Sequence, residues 1–282
     1  MKWEGRRKSK NFEDRRGGNT GKVVAGGGLI GIIAIVFHLL SGGDSQEIMQ
    51  MVSDQMLQRQ DGTQIELTEE DRRLGDFVAT VLADTEDVWH QAFNERGMSF
   101  REPKLILFRD AVQSACGGAS ANSGPFYCPA DESVYMDLSF FDILQSRFGA
   151  KGGDFAIAYV IAHEVGHHVQ HQLGILKEVH QIRSRLSETD GNRVHVAMEL
   201  QADFYAGMWA HHIDDYLSSQ DIDQALSAAA AVGNDAIQKR TQGYVVAESF
   251  THGSSAQRTE WFTRGYKSGK MEDGDTFAAL LQ

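Results

Sequence analysis

Two histidines and a glutamate stand at a spacing that can bind a metal ion. The segment from His163 to His167 reads HEVGH, an HExxH pattern, inside a long apolar run. On a helix, positions i and i+4 project from one face, so both imidazoles can reach one ion. Glu164 then stands beside them, where its carboxylate can take a proton from metal-bound water. Gly166 weakens the helix between the histidines, which indicates close approach by another element. The alternative is a solvated, histidine-rich helix.

A third protein ligand is needed, because a catalytic zinc site has three protein ligands and keeps its fourth position for water. Glu199 is the best candidate, since Glu199 and Asp203 occupy positions i and i+4 of a second predicted helix. Glu199 would complete a His/His/Glu site, while Asp203 would accept a hydrogen bond from the outer nitrogen of a ligand histidine. An ordinary acidic helix face is the alternative. His171 lies about 12 Å along the helix from His163, too far to share the ion.

The elements that must position these residues are mainly helices. Periodicity and capping signals predict helices over roughly 68–95, 154–173, 193–216, 221–240 and 254–265. Short strands are predicted at Lys104–Phe108 and Ser133–Leu138, and the stretch Cys116–Pro125 is predicted to be a loop. Because the strands precede the main helix pair, the pattern predicts an α+β fold that is mostly helical with a small sheet.

The charge of the chain is unevenly distributed around a net value of −12. Residues 1–22 hold eight Lys or Arg against three Asp or Glu, and Val23–Leu40 follows with 18 residues that carry no formal charge. As a helix this run would span roughly 27 Å, close to the thickness of a hydrocarbon core. The positive-inside rule then predicts a cytoplasmic leader (1–22), a transmembrane anchor (23–40), a stalk (41–64) and an exported body (65–282). A cleaved signal peptide and a buried core helix are the alternatives.

The predicted compartment determines how the two cysteines are interpreted. Cys116 and Cys128 lie 12 positions apart in a segment rich in small residues. In an oxidising compartment they form a candidate disulfide, and two free thiols are the alternative. The acidic net charge argues against a nucleic-acid partner, because binding by phosphate neutralisation needs a basic surface.

Several further segments resemble those of known metallopeptidases. The HExxH pattern followed by a downstream ExxxD helix is similar to the gluzincins. The wider set resembles the bacterial neutral zinc metallopeptidase family through CGGA, GPFYCP, VYMD, HEVGHHVQ, ELQADFYAG and FTHG with the QR and WF that follow it. The similarity covers the leader, the apolar run and most of residues 65–270. It implies a zincin-like domain in which His163, His167 and Glu199 bind Zn²⁺ and Glu164 is the catalytic base.

The function expected from these residues is that of a membrane-anchored zinc peptidase acting on a peptide or protein substrate. Such enzymes hold the substrate as an extended strand at a sheet edge; Ser133–Leu138 is the candidate edge, with a plain core strand as the alternative. His252, in FTHG, is a candidate donor to the developing oxyanion, with a surface histidine as the alternative.

The expected location is the inner membrane, with one crossing, a cytoplasmic N-terminus and a periplasmic or otherwise extracytoplasmic catalytic domain. The lipid bilayer is then a partner. A membrane-anchored binding or assembly protein with a non-catalytic zinc site is the alternative function, and a non-peptide amidase is an alternative enzyme.

Overall fold

The fold was examined in a computed structural model that describes residues 1–17, 66–120 and 123–281. The predicted anchor (23–40) and stalk (41–64) lie outside the described residues, as does the end of the predicted leader. Within the described ranges, no helix combines the length and the apolar character that a membrane crossing requires. The described chain is mostly helical with a small sheet, which confirms the predicted α+β class.

Six strands and nine α-helices form the described chain. The strands are β1 (Phe12–Asp14), β2 (Lys104–Leu107), β3 (Ala111–Ser114), β4 (Gly117–Ser120), β5 (Phe126–Cys128) and β6 (Ser133–Met136). The helices are α1 (Glu69–Asn94), α2 (Ser139–Phe148), α3 (Asp154–Gln172), α4 (Ile175–Arg183), α5 (Glu188–His212), α6 (Ser219–Ala231), α7 (Asn234–Thr241), α8 (Ser255–Ser268) and α9 (Thr276–Leu280). The HExxH segment therefore lies in α3 and the ExxxD segment in α5.

The main sheet has the strand order β1-β2-β6-β5. Strands β1, β2 and β6 are parallel, and β5 is antiparallel to β6. The prediction that Ser133–Leu138 forms the sheet edge is wrong, because β6 lies between β2 and β5 and all four of its residues are buried. The outermost strand beside α3 is β5. A strand's own residue pattern shows how deeply it is buried but not which strands flank it.

The segment between the two cysteines differs from the predicted loop. Strands β3 and β4 form an antiparallel hairpin, in which Ser114 is paired with Gly117 and Ala111 with Ser120. A disulfide joins Cys116 to Cys128. The bond therefore attaches the hairpin to the end of β5, the edge strand of the main sheet.

Close helix contacts bring the chemical groups together. A Cβ built on Gly166 of α3 would stand 3.2 Å from the Cα of Ala202 in α5, which confirms the close approach predicted there. Helices α5 and α8 approach even more closely, because a Cβ on Gly207 would stand 2.0 Å from the carbonyl oxygen of Phe262. Only glycine fits at such a crossing. Three helices therefore meet around one site, with α3 and α5 supplying the predicted ligands.

Two helix boundaries differ from the predictions. The predicted helix 221–240 is divided into α6 and α7 at Gly233, where an added Cβ would stand 2.4 Å from the backbone nitrogen of Ser255. The second long helix begins at Glu188 rather than at 193, because the Ser187 side chain caps it by accepting a hydrogen bond from the backbone N–H of Asp190.

Residues 1–17 are part of this folded body, which differs from the predicted separate leader. Strand β1 pairs in parallel with β2, in the register Phe12 to Leu105. The indole of Trp3 contacts the ring of Phe77 on α1 edge-to-face, with 5.5 Å between ring centroids. The first strand of the sheet therefore comes from residues 1–17, which the charge pattern assigns to a cytoplasmic leader.

Candidate metal centre

The three predicted ligands converge at one point between α3 and α5. The Nε2 atom of His163 lies 3.4 Å from Oε2 of Glu199, and Nε2 of His167 lies 3.6 Å from Oε1 of the same carboxylate. All three ligand atoms lie within 4.8 Å of one another. The i, i+4 spacing on α3 and the close contact of α3 with α5 produce this cluster.

These separations fit a tetrahedral ion of the size of zinc. With Zn–N and Zn–O bonds of about 2.0–2.2 Å, two ligands at the tetrahedral angle stand about 3.3–3.6 Å apart. The two histidine–carboxylate distances, 3.4 Å to Oε2 and 3.6 Å to Oε1 of Glu199, lie in this range. Two imidazoles and one carboxylate are also the donor set typical of a catalytic zinc site.

The outer nitrogen of each ligand histidine has its own hydrogen-bond acceptor. The Nδ1 atom of His163 lies 2.9 Å from Oδ1 of Asp203, and Nδ1 of His167 lies 2.8 Å from Oε1 of Gln170. Gln170 is held in turn, because its amide nitrogen donates to the carbonyl oxygen of Met198 at 2.7 Å. With Nδ1–H donating outward, both Nε2 lone pairs point to the shared site.

Asp203 is itself bound by a buried arginine and a tyrosine. Arg258 of α8 donates from Nε to Oδ2 of Asp203 at 2.8 Å and from Nη2 to Oδ1 at 2.9 Å. The hydroxyl of Tyr159 donates to Oδ1 at 2.5 Å. The carboxylate is fully buried. Its charge and orientation therefore depend on α8, a helix that supplies no metal ligand.

The electrostatics of the site favour a cation. Burial opposes protonation of His163, but the charges and hydrogen bonds of Asp203 and Glu199 outweigh it and raise the pKa of this histidine to about 9. Burial also opposes ionisation of Asp203, yet Arg258 and His163 hold its pKa at about 2. Burial opposes ionisation of Glu199 as well, but the charges and hydrogen bonds of His167 and His163 hold its pKa well below the usual value. A divalent cation at the site would replace the proton that the two carboxylates stabilise on His163.

A cleft of about 450 Å³ opens onto this cluster. Glu164 borders it beside the ligand histidines, and strand β5 contributes Phe126 and Tyr127 to its lining. His252 lies in the loop before α8 and also borders the cleft. The predicted catalytic residues therefore share one space with the ligands.

Sequence reasoning missed three residues that support the site. Gln170 and Arg258 each lie inside segments that carry the family resemblance, but nothing in their spacing identifies their partners. His195 stands one turn before Glu199, with its Nε2 3.7 Å from Oε1 of that ligand. Its Nδ1 faces Nη1 of Arg183 at 3.2 Å. Because arginine only donates, this contact places the His195 proton on Nε2, toward Glu199.

Comparison with known proteins agrees with this geometry. A family model described as "Putative neutral zinc metallopeptidase" matches residues 1–277. The chain is 42% identical over 289 residues to the uncharacterized protein YpfJ of Escherichia coli K12, and the alignment covers 100% of both chains. It is 45% identical over 192 residues to the uncharacterized protein Rv2575 of Mycobacterium tuberculosis H37Rv, with 64% of each chain covered. No solved structure matches.

Proposed function

Because the chain belongs to the neutral zinc metallopeptidase family, we propose that it hydrolyses peptide bonds in a peptide or protein substrate. The observation that carries this proposal is the convergence of His163, His167 and Glu199 at spacings that fit Zn²⁺. A structural zinc site is usually closed by four protein ligands, often cysteines. Here both cysteines are bonded to each other, and the three ligands border an open cleft of about 450 Å³.

The residues around the cleft have distinct roles in the proposed reaction. Zinc bound by this ligand set would lower the pKa of a water molecule and polarise the scissile carbonyl. Glu164 borders the cleft beside the ligand histidines, where its carboxylate could accept a proton from the attacking water and return it to the leaving amine. His252 donates a hydrogen bond to the negative charge that develops on the carbonyl oxygen. Asp203 and Gln170 keep the ligand histidines in the tautomer that leaves Nε2 free.

The substrate backbone is proposed to lie along β5. This strand is one of the two edge strands of the main sheet, and it borders the cleft through Phe126 and Tyr127. An extended peptide can add to such an edge by main-chain hydrogen bonds, which hold it independently of its sequence. The aromatic wall then favours apolar side chains next to the scissile bond.

The catalytic body is proposed to work outside the cytoplasm, at a membrane bound through Val23–Leu40. The disulfide between Cys116 and Cys128 supports this location, because such bonds persist in oxidising compartments and are rare in the cytosol. The apolar composition of residues 23–40 supports membrane association.

The proposed function is tested with Glu164→Gln, which keeps the size of the side chain and removes the base. Zinc content of the purified full chain is measured by mass spectrometry, and cleavage by digestion of a peptide library. We expect one bound zinc in both proteins and at least a 10²-fold slower cleavage by the variant. Glu95→Gln, an exposed change at the end of α1, is the matched control and should cleave normally. Bound zinc with no cleavage by the wild type would favour the non-catalytic alternative, and unimpaired cleavage by the variant would refute the role of Glu164.

A further inference from the structure

The first 17 residues lie against α1 and the sheet through backbone contacts. The backbone N–H of Ser9 donates to the carbonyl oxygen of Ala79 at 2.9 Å, and the N–H of Leu105 donates to the carbonyl oxygen of Asn11 at 2.9 Å. Further along, the N–H of Arg15 donates to Leu107 of β2. These bonds, with the β1–β2 pairing, make the segment an integral strand of the sheet rather than an attached tail.

The basic side chains of this segment are paired with acids of α1. Four of them contact α1 carboxylates at 3.6 Å or less: Arg6 with Asp84, Arg7 with Glu86 and Asp87, Lys8 with Asp76, and Arg16 with Asp71. Glu86 is only 1% exposed in this arrangement and also accepts a hydrogen bond from the hydroxyl of Ser9. A carboxylate so enclosed needs its partners, because burying an unpaired charge is costly. Four of the eight positive charges that indicated a cytoplasmic leader are therefore paired with carboxylates of the folded body.

The described residues on the two sides of segment 18–65 lie beside each other. A Cβ built on Gly17 would lie 2.8 Å from Cγ of Leu67. The guanidinium of Arg16, with 3% of its side chain exposed, donates to the carbonyl oxygen of Asp71 at 2.6 Å. The last described residue before position 18 and the first described residues after position 65 therefore lie at one place on the body.

We propose that residues 1–17 and the metallopeptidase body lie on the same side of the membrane. A hydrocarbon core about 30 Å thick would separate them if the chain crossed once between residues 17 and 66, and contacts of 2.6–3.0 Å exclude such a barrier. The chain therefore crosses an even number of times, or not at all, between these residues. This replaces the expected topology of one crossing with a cytoplasmic N-terminus. The inference does not depend on peptide hydrolysis.

The test uses the full chain in the membranes of the cells that produce it. Lys10→Cys in the N-terminal segment and Asn94→Cys at the end of α1 each place one thiol at an exposed position. A membrane-impermeant maleimide is applied to spheroplasts and, separately, to inside-out vesicles. The unsubstituted chain is the control and should not react, because its two cysteines are bonded to each other. Glu4→Cys repeats the measurement at a second exposed position in the segment.

We expect the thiols at positions 10 and 94 to react in the same preparation. Reaction of both in spheroplasts supports the shared side and an exported body. Reaction of both only in inside-out vesicles still supports the shared side, but it contradicts the proposed extracytoplasmic location. Reaction of the two thiols in opposite preparations, with position 4 following position 10, overturns the inference.

Discussion

Replacement of Asp203 tests the hydrogen-bond network behind the metal ligands most directly. Asp203→Asn preserves the shape of the side chain, but it removes the charge and turns one acceptor oxygen into a donor group. In the native protein these two oxygens receive hydrogen bonds from His163, Tyr159 and Arg258, the last through two nitrogen atoms. The substitution therefore leaves at least one donor without an acceptor and the guanidinium without its counter-charge.

The structure sets the expected size of two effects. Asp203 is fully buried and Arg258 is 4% exposed, so breaking their ion pair should lower the free energy of unfolding by about 3–5 kcal/mol. The outer hydrogen bond of His163 is lost or weakened as well, and loss of such a partner typically costs 10–100-fold in metal affinity. We expect zinc to bind more weakly by about that factor.

Both effects can be measured on the same purified protein. Urea unfolding of the EDTA-treated chain, followed by circular dichroism, gives the free energy of unfolding without metal. Competition with a chromophoric chelator gives the zinc affinity. Glu260→Gln is the matched control, since it removes a carboxylate paired with Arg264 on the exposed face of the same helix, α8. That exposed pair should contribute about 0.3–0.5 kcal/mol, and zinc affinity should not change.

A double-mutant cycle identifies the partner. Arg258→Met alone should cost about as much as Asp203→Asn, because each leaves the other group buried without its partner. The combined variant should lose clearly less than the sum of the two single losses. Strict additivity, or a loss below about 1 kcal/mol for either single variant, would refute the buried ion pair as the support of the site.

Three further predictions concern the packing, the cleft and the disulfide. Gly207→Ala should lower the free energy of unfolding by about 1–3 kcal/mol in a urea titration, because its methyl group overlaps the backbone of α8, whereas Gly191→Ala on the same helix has room and should not destabilise. His252→Ala should lower kcat by about 10²–10³-fold while KM and zinc content stay near the wild-type values; an unchanged kcat removes it from the mechanism. Replacing Cys116 and Cys128 with serine should cost about 2–3 kcal/mol in the same titration, and an unchanged midpoint would contradict a stabilising bond.

The helical part of the site could be predicted because its signals are local. The HExxH spacing places two imidazoles on one face of α3 wherever that helix packs, and the ExxxD spacing does the same for the carboxylates of α5. Gly166 adds a sign of close approach, and the structure identifies its neighbour as Ala202. Each of these inferences needs only residues within one turn of each other.

The parts that the sequence did not predict depend on contacts between distant segments. Arg258 lies 55 positions from Asp203, and no periodic pattern connects them. The edge position of β5 depends on which strands flank it, and the break at Gly233 depends on the approach of Ser255. The N-terminal cations have the same charge whether they face lipid or the carboxylates of α1, so composition alone could not assign their partner.

Helix α8 follows all three predicted metal ligands in the chain, which has a consequence for how the site forms during synthesis. A nascent chain that has been made only as far as α5 already has all three metal ligands, but its Asp203 has no guanidinium to neutralise it. The finished metal site therefore has to await translation of a segment that begins at Ser255, and a fragment released earlier lacks the support that orients His163. The ion pair between Arg258 and Asp203 thus makes a complete site depend on the late-synthesised helix α8 as well as on the two helices that hold the predicted ligands.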